Sequence, residues 1–236
     1  RFTKYFIFRC STPNKISHPN QATESTLSSP APSPSSKPGK RRSQTERRQD
    51  SERKLLDSGM QLVARKGVSG MTLAEVGSMA GYSRGLVAHH YGNKEQFVRA
   101  LARHVQQSFS AVRAQAHASE TGLDRLLHSI SSYLLTPGDH RAASFAMLGE
   151  AAILGGSLQE TMREYSQASR VFYAEQLRIA LGKGEIRQDI DPDSMAAVIL
   201  GLLRGISMQH LLDPENFPIE QISQDVLLAI KALLQR

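Results

Sequence analysis

The chain has 236 residues, 40% of them hydrophobic and 22% charged, so it can bury a large core in one large or two smaller domains. It contains one cysteine, Cys10, and no tryptophan, which excludes a disulfide framework and a cysteine-based metal site. No stretch is expected to approach the roughly 18 to 20 apolar residues of a membrane span, and the apolar opening segment is too short for a secretory signal. We therefore expect a protein that does not enter a membrane and lies in the cytoplasm.

The formal net charge of +7 is unevenly distributed along the chain. Residues 1–54 hold 12 Lys and Arg against 4 Asp and Glu, whereas the remaining residues hold 17 against 18. A polyanionic partner of the amino-terminal part would explain this asymmetry. The alternative is a solvated tail that keeps the protein soluble, and for Arg47 and Arg48 both interpretations stay open.

Residues 1–40 are rich in Ser, Pro, Thr and Asn, with SSPAPSPSSKPGK as the extreme. Such a segment buries too little apolar surface to offset the entropy of ordering it, so we predict a disordered tail. The first helix is predicted to begin near residue 44, because Ser43 and Glu46 form a capping-box pattern. It is predicted to run to Lys66 and to end at Gly67.

Two short helices are predicted after the first one. Thr72 and Glu75 form a second capping box, and Gly81 ends the helix that Thr72 starts. Ser83 caps the next helix, which spans residues 84 to about 91 and ends at Gly92. Two helices of about eight residues joined by a glycine-containing turn form a helix-turn-helix, and they need the first helix packed across them for stability.

The remainder of the chain is also predicted to be helical, with about nine helices in total and no segment of β periodicity. A fourth helix is predicted from Asn93 to about Ala118. The later helices are predicted at 123–134, 142–154, 157–181 (opened by a third capping box, Ser157 to Glu160), from Pro192 onward, and after Pro218.

The sequence of residues 55–97, LLDSGMQLVARKGVSGMTLAEVGSMAGYSRGLVAHHYGNKEQF, resembles the DNA-binding region of TetR-family transcriptional regulators. The most telling matches are Ala64-Arg65-Lys66-Gly67, Thr72, Ala80-Gly81, Ser83-Arg84-Gly85, His90 and Lys94-Glu95. The resemblance implies an all-α fold with a three-helix DNA-binding head at 41–97 and a helical effector-binding and dimerisation body at 98–236. It further implies a homodimeric repressor that a small-molecule effector releases from a palindromic operator in double-stranded DNA.

The resemblance places the third helix in the major groove, with the first-turn residues Ser83, Arg84, Gly85 and Leu86 nearest the base edges. Arg84 can donate two hydrogen bonds to guanine, whereas Leu86 can make only apolar contacts. The lack of a side chain at Gly85 allows the backbone to approach the DNA.

Further DNA contacts follow from the same resemblance. Thr72, His90 and Lys94 match family positions that contact phosphates, and His89 lies where the family usually has an aromatic residue. Ala88 departs from the family pattern, because a backbone-contacting Tyr is usual there. A metal ion shared by the two histidines is not expected, since neighbouring side chains on a helix point about 100° apart, and we predict no metal and no cofactor.

The effector pocket is implied by the resemblance, and the sequence does not name a ligand. The candidate lining residues are polar or bulky residues within apolar helical stripes: Tyr133, Phe145, Met147, Glu150, Tyr165 and Phe172. An aromatic residue in such a stripe is more often part of the packed core than a ligand contact. Glu150 either meets a cationic ligand or pairs with an arginine such as Arg163 or Arg204, because an unpaired buried carboxylate is costly.

The helix from Pro192 is apolar nearly all round, and Gly201 and Gly205 lie on one face. It is either a buried central helix of a monomer or part of a subunit interface, and the resemblance implies a dimer through the last two helices. An enzyme is not expected, because paired carboxylates in helical register, a glycine-rich phosphate loop and a nucleophile with a partner His are all missing. The alternative is a helical interaction protein whose head no longer binds DNA specifically, which Ala88 makes conceivable.

Overall fold

The computed structural model describes residues 43–115 and 120–235, where the chain forms nine helices and no strand. The predicted all-α fold with about nine helices is confirmed. The predicted tail at residues 1–40 and the predicted end of the fourth helix near Ala118 lie outside the described residues. The helices are α1 (Gln44–Gly70), α2 (Leu73–Ala80), α3 (Arg84–Tyr91), α4 (Lys94–Gln115), α5 (Leu123–Leu134), α6 (Gly138–Leu154), α7 (Gly156–Gly182), α8 (Pro192–Leu212) and α9 (Ile219–Gln235).

Side-chain caps set the beginnings of the first helices, as predicted. The Ser43 hydroxyl accepts a hydrogen bond from the Glu46 N–H at 3.1 Å, and the Glu46 carboxylate accepts one from the Ser43 N–H at 2.7 Å. Thr72 and Glu75 make the same reciprocal pair at the start of α2. Each box satisfies two backbone donors that have no partner within the helix.

The carboxyl-terminal end of α1 differs from the prediction. Gly67 leaves the helical conformation, with φ 71° and ψ 173°, but helical hydrogen bonding resumes and α1 continues to Gly70. Positive φ is accessible to glycine without steric cost, so the predicted stop at Gly67 is a break within α1.

Two predicted starts in the body are wrong. α6 begins at Gly138, four residues before the predicted start, directly after Pro137. The third capping box does not form, because α7 has no side-chain cap and the Ser157 hydroxyl instead donates to Glu95 Oε1 on α4 at 2.6 Å. The Ser157 hydroxyl therefore makes a tertiary hydrogen bond and does not form the helix cap that the local sequence predicted.

The described helices enclose two hydrophobic cores. The first core contains residues of α1, α2, α3 and α4, of one face of α6 and of the start of α7. It includes Leu55, Val87 and Phe97, all without solvent exposure. The second joins α5, α7, α8 and α9, around fully buried residues such as Leu177 and Leu203. The predicted head therefore shares its core with α6 of the body, while the division at residues 97 and 98 stays a prediction.

One helix of the described residues, α8, is long and apolar enough to cross a membrane by length and composition alone. The expectation that no stretch approaches such a span is therefore wrong for α8. A core helix of a water-soluble protein passes the same test, so this property is weak evidence for a membrane span.

Candidate nucleic-acid interface

The turn between α2 and α3 depends on a close backbone approach at Gly77. A Cβ atom on Gly77 would lie 3.0 Å from the Tyr82 carbonyl oxygen and 3.1 Å from the carbonyl carbon of Ser83. Gly81 then ends α2 in the left-handed conformation, with φ 76° and ψ 26°. Small residues at these two points allow α3 to start directly against α2.

The inner face of α3 is held by the head core through Val87 and Tyr91. Val87 has no solvent exposure, and the Tyr91 ring packs edge-on against Phe97 with 5.0 Å between ring centroids. The Tyr91 hydroxyl lies 3.5 Å from the Glu52 carbonyl oxygen on α1. Burial raises the pKa of Tyr91 to about 12, and the nearby Glu52 carboxylate adds to this shift.

The opposite face of α3 is open to solvent at its first turn. Ser83, Arg84 and Gly85 are exposed, and the Ser83 hydroxyl caps the helix by accepting from the Leu86 N–H at 3.3 Å. Arg84 has no hydrogen-bond or ion-pair partner among the described residues. An unpaired guanidinium at an exposed helix start can reach base edges or phosphates without breaking a protein contact.

A groove with a volume of about 700 Å³ lies between the first two turns of α1 and the face of α3 that carries Leu86, His89 and His90. It brings together five of the ten predicted DNA-contacting residues: Arg47, Arg48, Leu86, His89 and His90. Arg48 donates from Nε to Glu52 Oε1 at 3.0 Å, and its side chain remains 70% exposed. Such an exposed pair is worth little and leaves the arginine able to exchange partners.

His90 faces α1, which argues against the phosphate contact expected for it. Its side chain is 6% exposed, with Nε2 at 3.4 Å from the Ser51 hydroxyl and Nδ1 at 3.3 Å from Glu52 Oε1. The histidine therefore fixes the position of α3 on α1. His89, by contrast, is exposed on the outer side of the helix.

The two remaining predicted phosphate contacts lie at helix starts. Thr72 is exposed, and its hydroxyl is engaged in the α2 capping box. Lys94 is partly buried at the start of α4, and its Nζ donates to the Ser69 carbonyl oxygen at 3.0 Å. A phosphate at Lys94 would have to compete with this carbonyl.

Two further basic side chains of α1, Arg53 and Lys54, form ion pairs with carboxylates of the same helix. Lys54 and Arg53 contact Asp50 at 3.0 and 2.8 Å, and Arg53 also approaches Asp57 at 3.7 Å. The hydrogen bonds from Lys54 and then Arg53 hold the pKa of Asp50 below its usual value. These side chains are also exposed, so their ion pairs, like that of Arg48, leave them able to exchange partners.

The predicted effector residues do not form one group. Tyr133 and Phe172 pack against the body core, and Tyr165 is half-buried near enough to influence the Tyr133 phenol electrostatically. Phe145 is half-buried on α6. Met147, 1% exposed, belongs to the core of the head, and its assignment to an effector pocket stays a prediction.

Glu150 does not take the arginine partner that is one of its two predicted alternatives, and its contact with a cationic ligand stays a prediction. Its carboxylate accepts a hydrogen bond from the Ser69 backbone N–H at 3.2 Å, at the end of α1. It makes no ion pair with Arg163 or Arg204 in the described part of the chain; Arg204 instead donates to the Ser166 hydroxyl at 2.7 Å. Glu150 therefore connects the body to the head.

The sequence reasoning missed Arg141, which is 4% exposed beneath the end of α5. The predicted start of α6 at residue 142 left Arg141 in a connection, where an arginine is usually solvated. The signal was the preceding Pro137, which is compatible with a helix start at the following residue.

Within residues 43–115 and 120–235, no cluster of three or more His, Cys, Asp or Glu side chains is arranged to hold a metal ion.

Two family models match the chain in succession. The model of bacterial regulatory proteins of the tetR family matches residues 55–101, which include α2, α3 and the second half of α1. The model of the carboxyl-terminal region of BetI-type transcriptional repressors matches residues 122–235, from α5 to α9.

Individual proteins give the same picture. The chain is 23% identical over 193 residues to the regulator CymR of Pseudomonas putida, covering 80% of this chain and 93% of that protein. It is 34% identical over 71 residues to the regulator BetI of Burkholderia thailandensis, covering 30% of this chain and 36% of BetI. A crystal structure described as a transcriptional regulator from Saccharomonospora viridis in complex with choline superposes with a TM-score of 0.67 at 18% identity, covering 75% of this chain and 93% of that one.

Proposed function

The chain belongs to the TetR family of bacterial transcriptional regulators, and we propose that it is a homodimeric repressor released from a palindromic operator by a small-molecule effector. The observation that carries the DNA part of this proposal is the exposed first turn of α3. There Arg84 has no protein partner in the described chain, while the inner face of the same helix is locked into the head core. A rigid helix with a free arginine at its start is suited to reading base edges in the major groove.

The groove between α1 and α3 supports the same orientation. Arg47 and Arg48 on its α1 side would approach the phosphates that flank the bases read by α3. Thr72 and Lys94 would contact the backbone from the starts of α2 and α4, where backbone N–H groups favour anions. His90 supports this surface by positioning α3, and it does not contact DNA itself.

Exposed apolar residues on α8 and α9 support dimerisation. Val198, Leu202 and Leu228 are 57%, 41% and 67% exposed. A Cβ atom on Gly201 or Gly205 would meet no other atom within 4 Å, so this face of α8 is open to a close helix–helix approach. A two-fold dimer would present two copies of α3 about one DNA turn, roughly 34 to 36 Å, or a multiple apart.

Relatives support an effector-controlled body. The S. viridis structure is a complex with choline, and the body of the present chain matches a BetI-type repressor model. Release would require that α6 and α4 move the head, and both helices contact it through Glu150 and the shared core. A repressor acting in this way is not an enzyme and works in the cytoplasm, where its operator lies.

The test is binding of the purified chain to DNA, first by selection from random duplexes and then with the upstream region of its own gene. We expect an enriched palindrome and an affinity that falls with the logarithm of salt concentration, since binding releases counterions from phosphates. Enrichment of no sequence would overturn the repressor proposal and favour an interaction protein without specific DNA binding.

The dimer is tested by sedimentation equilibrium at micromolar concentration with two matched variants. Val198→Glu introduces a charge into the proposed α8 interface, and Val171→Glu introduces the same charge at a similarly exposed position of α7, 60% exposed. We expect the wild type and Val171→Glu to be dimers and Val198→Glu to be a monomer. A monomeric wild type would contradict the proposal.

A further inference from the structure

Arg141 on α6 is the one charged residue that is buried among the described residues. Its Nη2 donates to the Leu134 carbonyl oxygen at 2.6 Å and to the Thr136 carbonyl oxygen at 2.8 Å. Its Nε and Nη1 are also buried, and they have no hydrogen-bond partner in the described chain. A guanidinium carries five N–H donors, so about three of them are left unused.

The two carbonyl contacts explain only part of this arrangement. They provide donors for carbonyl groups at and just after the end of α5, where backbone carbonyls have no partner within the helix. These two hydrogen bonds use one nitrogen of the guanidinium. In the described part of the chain, the N–H groups on the other two nitrogens have no acceptor, and the positive charge has no paired negative charge. Buried arginines are ordinarily paired, because an uncompensated charge loses its hydration without gaining a partner.

A second arginine acts on the same region of the body. Arg204 on α8 is half-buried and donates to the Ser166 hydroxyl at 2.7 Å, and its charge favours a lower pKa of the Tyr133 phenol. The charge of Arg141 also acts on the Tyr133 phenol, so the charges of both arginines act on one tyrosine of α5. Ser207, nearly one turn after Arg204, is fully buried, and its hydroxyl lacks a partner within the described residues.

Negative charge is scarce around this group. No Asp or Glu is buried in residues 43–115 or 120–235. Glu220 on α9 is the acidic side chain whose charge reaches Arg141, but Glu220 is exposed and makes no ion pair with Arg141 within 4.0 Å. The cluster of Tyr133, Arg141, Ser166 and Arg204, hereafter the arginine cluster, is therefore positively charged and only partly satisfied.

We propose that the arginine cluster binds the carboxylate group of an organic effector. A carboxylate has two oxygens that can accept hydrogen bonds from the unused N–H groups of Arg141. Its negative charge would also compensate the positive charges of Arg141 and Arg204. Tyr133 is one of the partly buried residues that pack against the body core, which offers apolar contact to the remainder of the ligand. This inference rests on the proposed function, because it assigns a chemical class to the effector of that function.

The same reasoning disfavours a cationic effector at this cluster. A quaternary ammonium ion needs carboxylates or aromatic faces without nearby cations. Two guanidinium groups would repel it. The present chain would then differ in ligand class from its structural neighbour that binds choline.

The experiment measures ligand binding to the whole 236-residue chain without DNA. Sodium acetate, hexanoate, decanoate and benzoate are tested with hexanamide, benzamide, benzylamine and choline chloride at equal ionic strength, by thermal unfolding and titration calorimetry. We expect at least one carboxylate with an apolar body to bind and raise the midpoint of unfolding, and its matched amide and amine to do neither. Absence of binding by every carboxylate, equal binding by the amide, or preferential binding of choline would each overturn the inference.

Three variants assign the binding to the cluster. Arg204→Gln removes the half-buried cation, Arg141→Gln removes the buried one, and Arg163→Gln removes an exposed charge on α7 as a control. We expect Arg204→Gln to weaken carboxylate binding at least tenfold and Arg163→Gln to leave it unchanged. Unchanged carboxylate binding in Arg204→Gln overturns the inference. This variant alone tests the inference if Arg141→Gln does not fold.

DNA binding by the same preparations separates the two proposals. Operator binding with no carboxylate binding overturns the arginine-cluster inference and leaves the repressor proposal intact. Carboxylate binding that depends on Arg204, in a protein that selects no DNA sequence, overturns the repressor proposal and supports the site itself.

Discussion

The Glu150 carboxylate on α6 accepts a hydrogen bond of 3.2 Å from the backbone N–H of Ser69, whose carbonyl oxygen in turn accepts from Lys94 Nζ at 3.0 Å. Both backbone groups of one residue at the end of α1 are thus held, one by the body and one by α4. A second link, from the Ser157 hydroxyl to Glu95, lines the same cleft of about 530 Å³. A shift of α6 would therefore reach the head through Ser69 as well as through the shared core.

Glu150→Ala should remove the hydrogen bond to Ser69 and lower the free energy of unfolding by about 1 kcal/mol. Urea denaturation followed by circular dichroism measures this. Glu160→Ala is the control, because Glu160 is exposed on α7 and its capping box is not formed, so its effect should stay within about 0.5 kcal/mol. Equal losses in the two variants would show that the Ser69 contact contributes nothing to stability.

His90→Ala should destabilise the head without removing a phosphate contact. Loss of the contacts to Ser51 and Glu52 is expected to lower the free energy of unfolding by about 1 kcal/mol. The slope of the logarithm of DNA affinity against the logarithm of salt concentration should stay unchanged. A slope that falls by about 1 would instead identify His90 as a phosphate ligand and contradict its assigned position.

Gly59→Ala should destabilise the protein, because a Cβ atom there would lie 2.5 Å from Cζ of the fully buried Phe97 ring. Overpacking of this kind costs about 1 to 3 kcal/mol. Gly149→Ala is the matched control, since a Cβ atom at this exposed position of α6 meets nothing within 4 Å. Replacing a helical glycine at such a site should stabilise by about 0.5 to 1 kcal/mol, so thermal unfolding midpoints should move in opposite directions.

Arg84→Ala should weaken binding to the selected operator by about 1 to 3 kcal/mol and relax the base preference at one position of each half-site. Binding to unrelated DNA should change much less. Repeating the selection with the variant measures both effects. An unaltered base preference would mean that the first turn of α3 does not read the sequence.

Stability should fall between about pH 10 and pH 12, in part because of Tyr91. Burial raises the pKa of Tyr91 from 10.0 to about 12, so in this interval the unfolded chain releases a proton that the folded chain keeps. The unfolded state then binds fewer protons, and the free energy of unfolding decreases as pH rises. Tyr91→Phe should make this decrease shallower in urea denaturation at pH 9, 10 and 11; parallel curves for the two proteins would contradict the assignment.

The sequence alone determined the features that depend on neighbouring residues. The capping boxes at Ser43 and Thr72, the left-handed Gly81 and the apolar spacing of α3 are local, so the helix-turn-helix and its exposed first turn could be predicted residue by residue. Only the tertiary structure decided which partner each polar side chain takes. Ser157 bonds Glu95 and does not cap its own helix, His90 turns to α1, Glu150 bonds Ser69, and Arg141 is buried at the end of α5. These side chains bond groups 5 to 81 residues away, and such partners are set by how the helices pack, which no local pattern encodes.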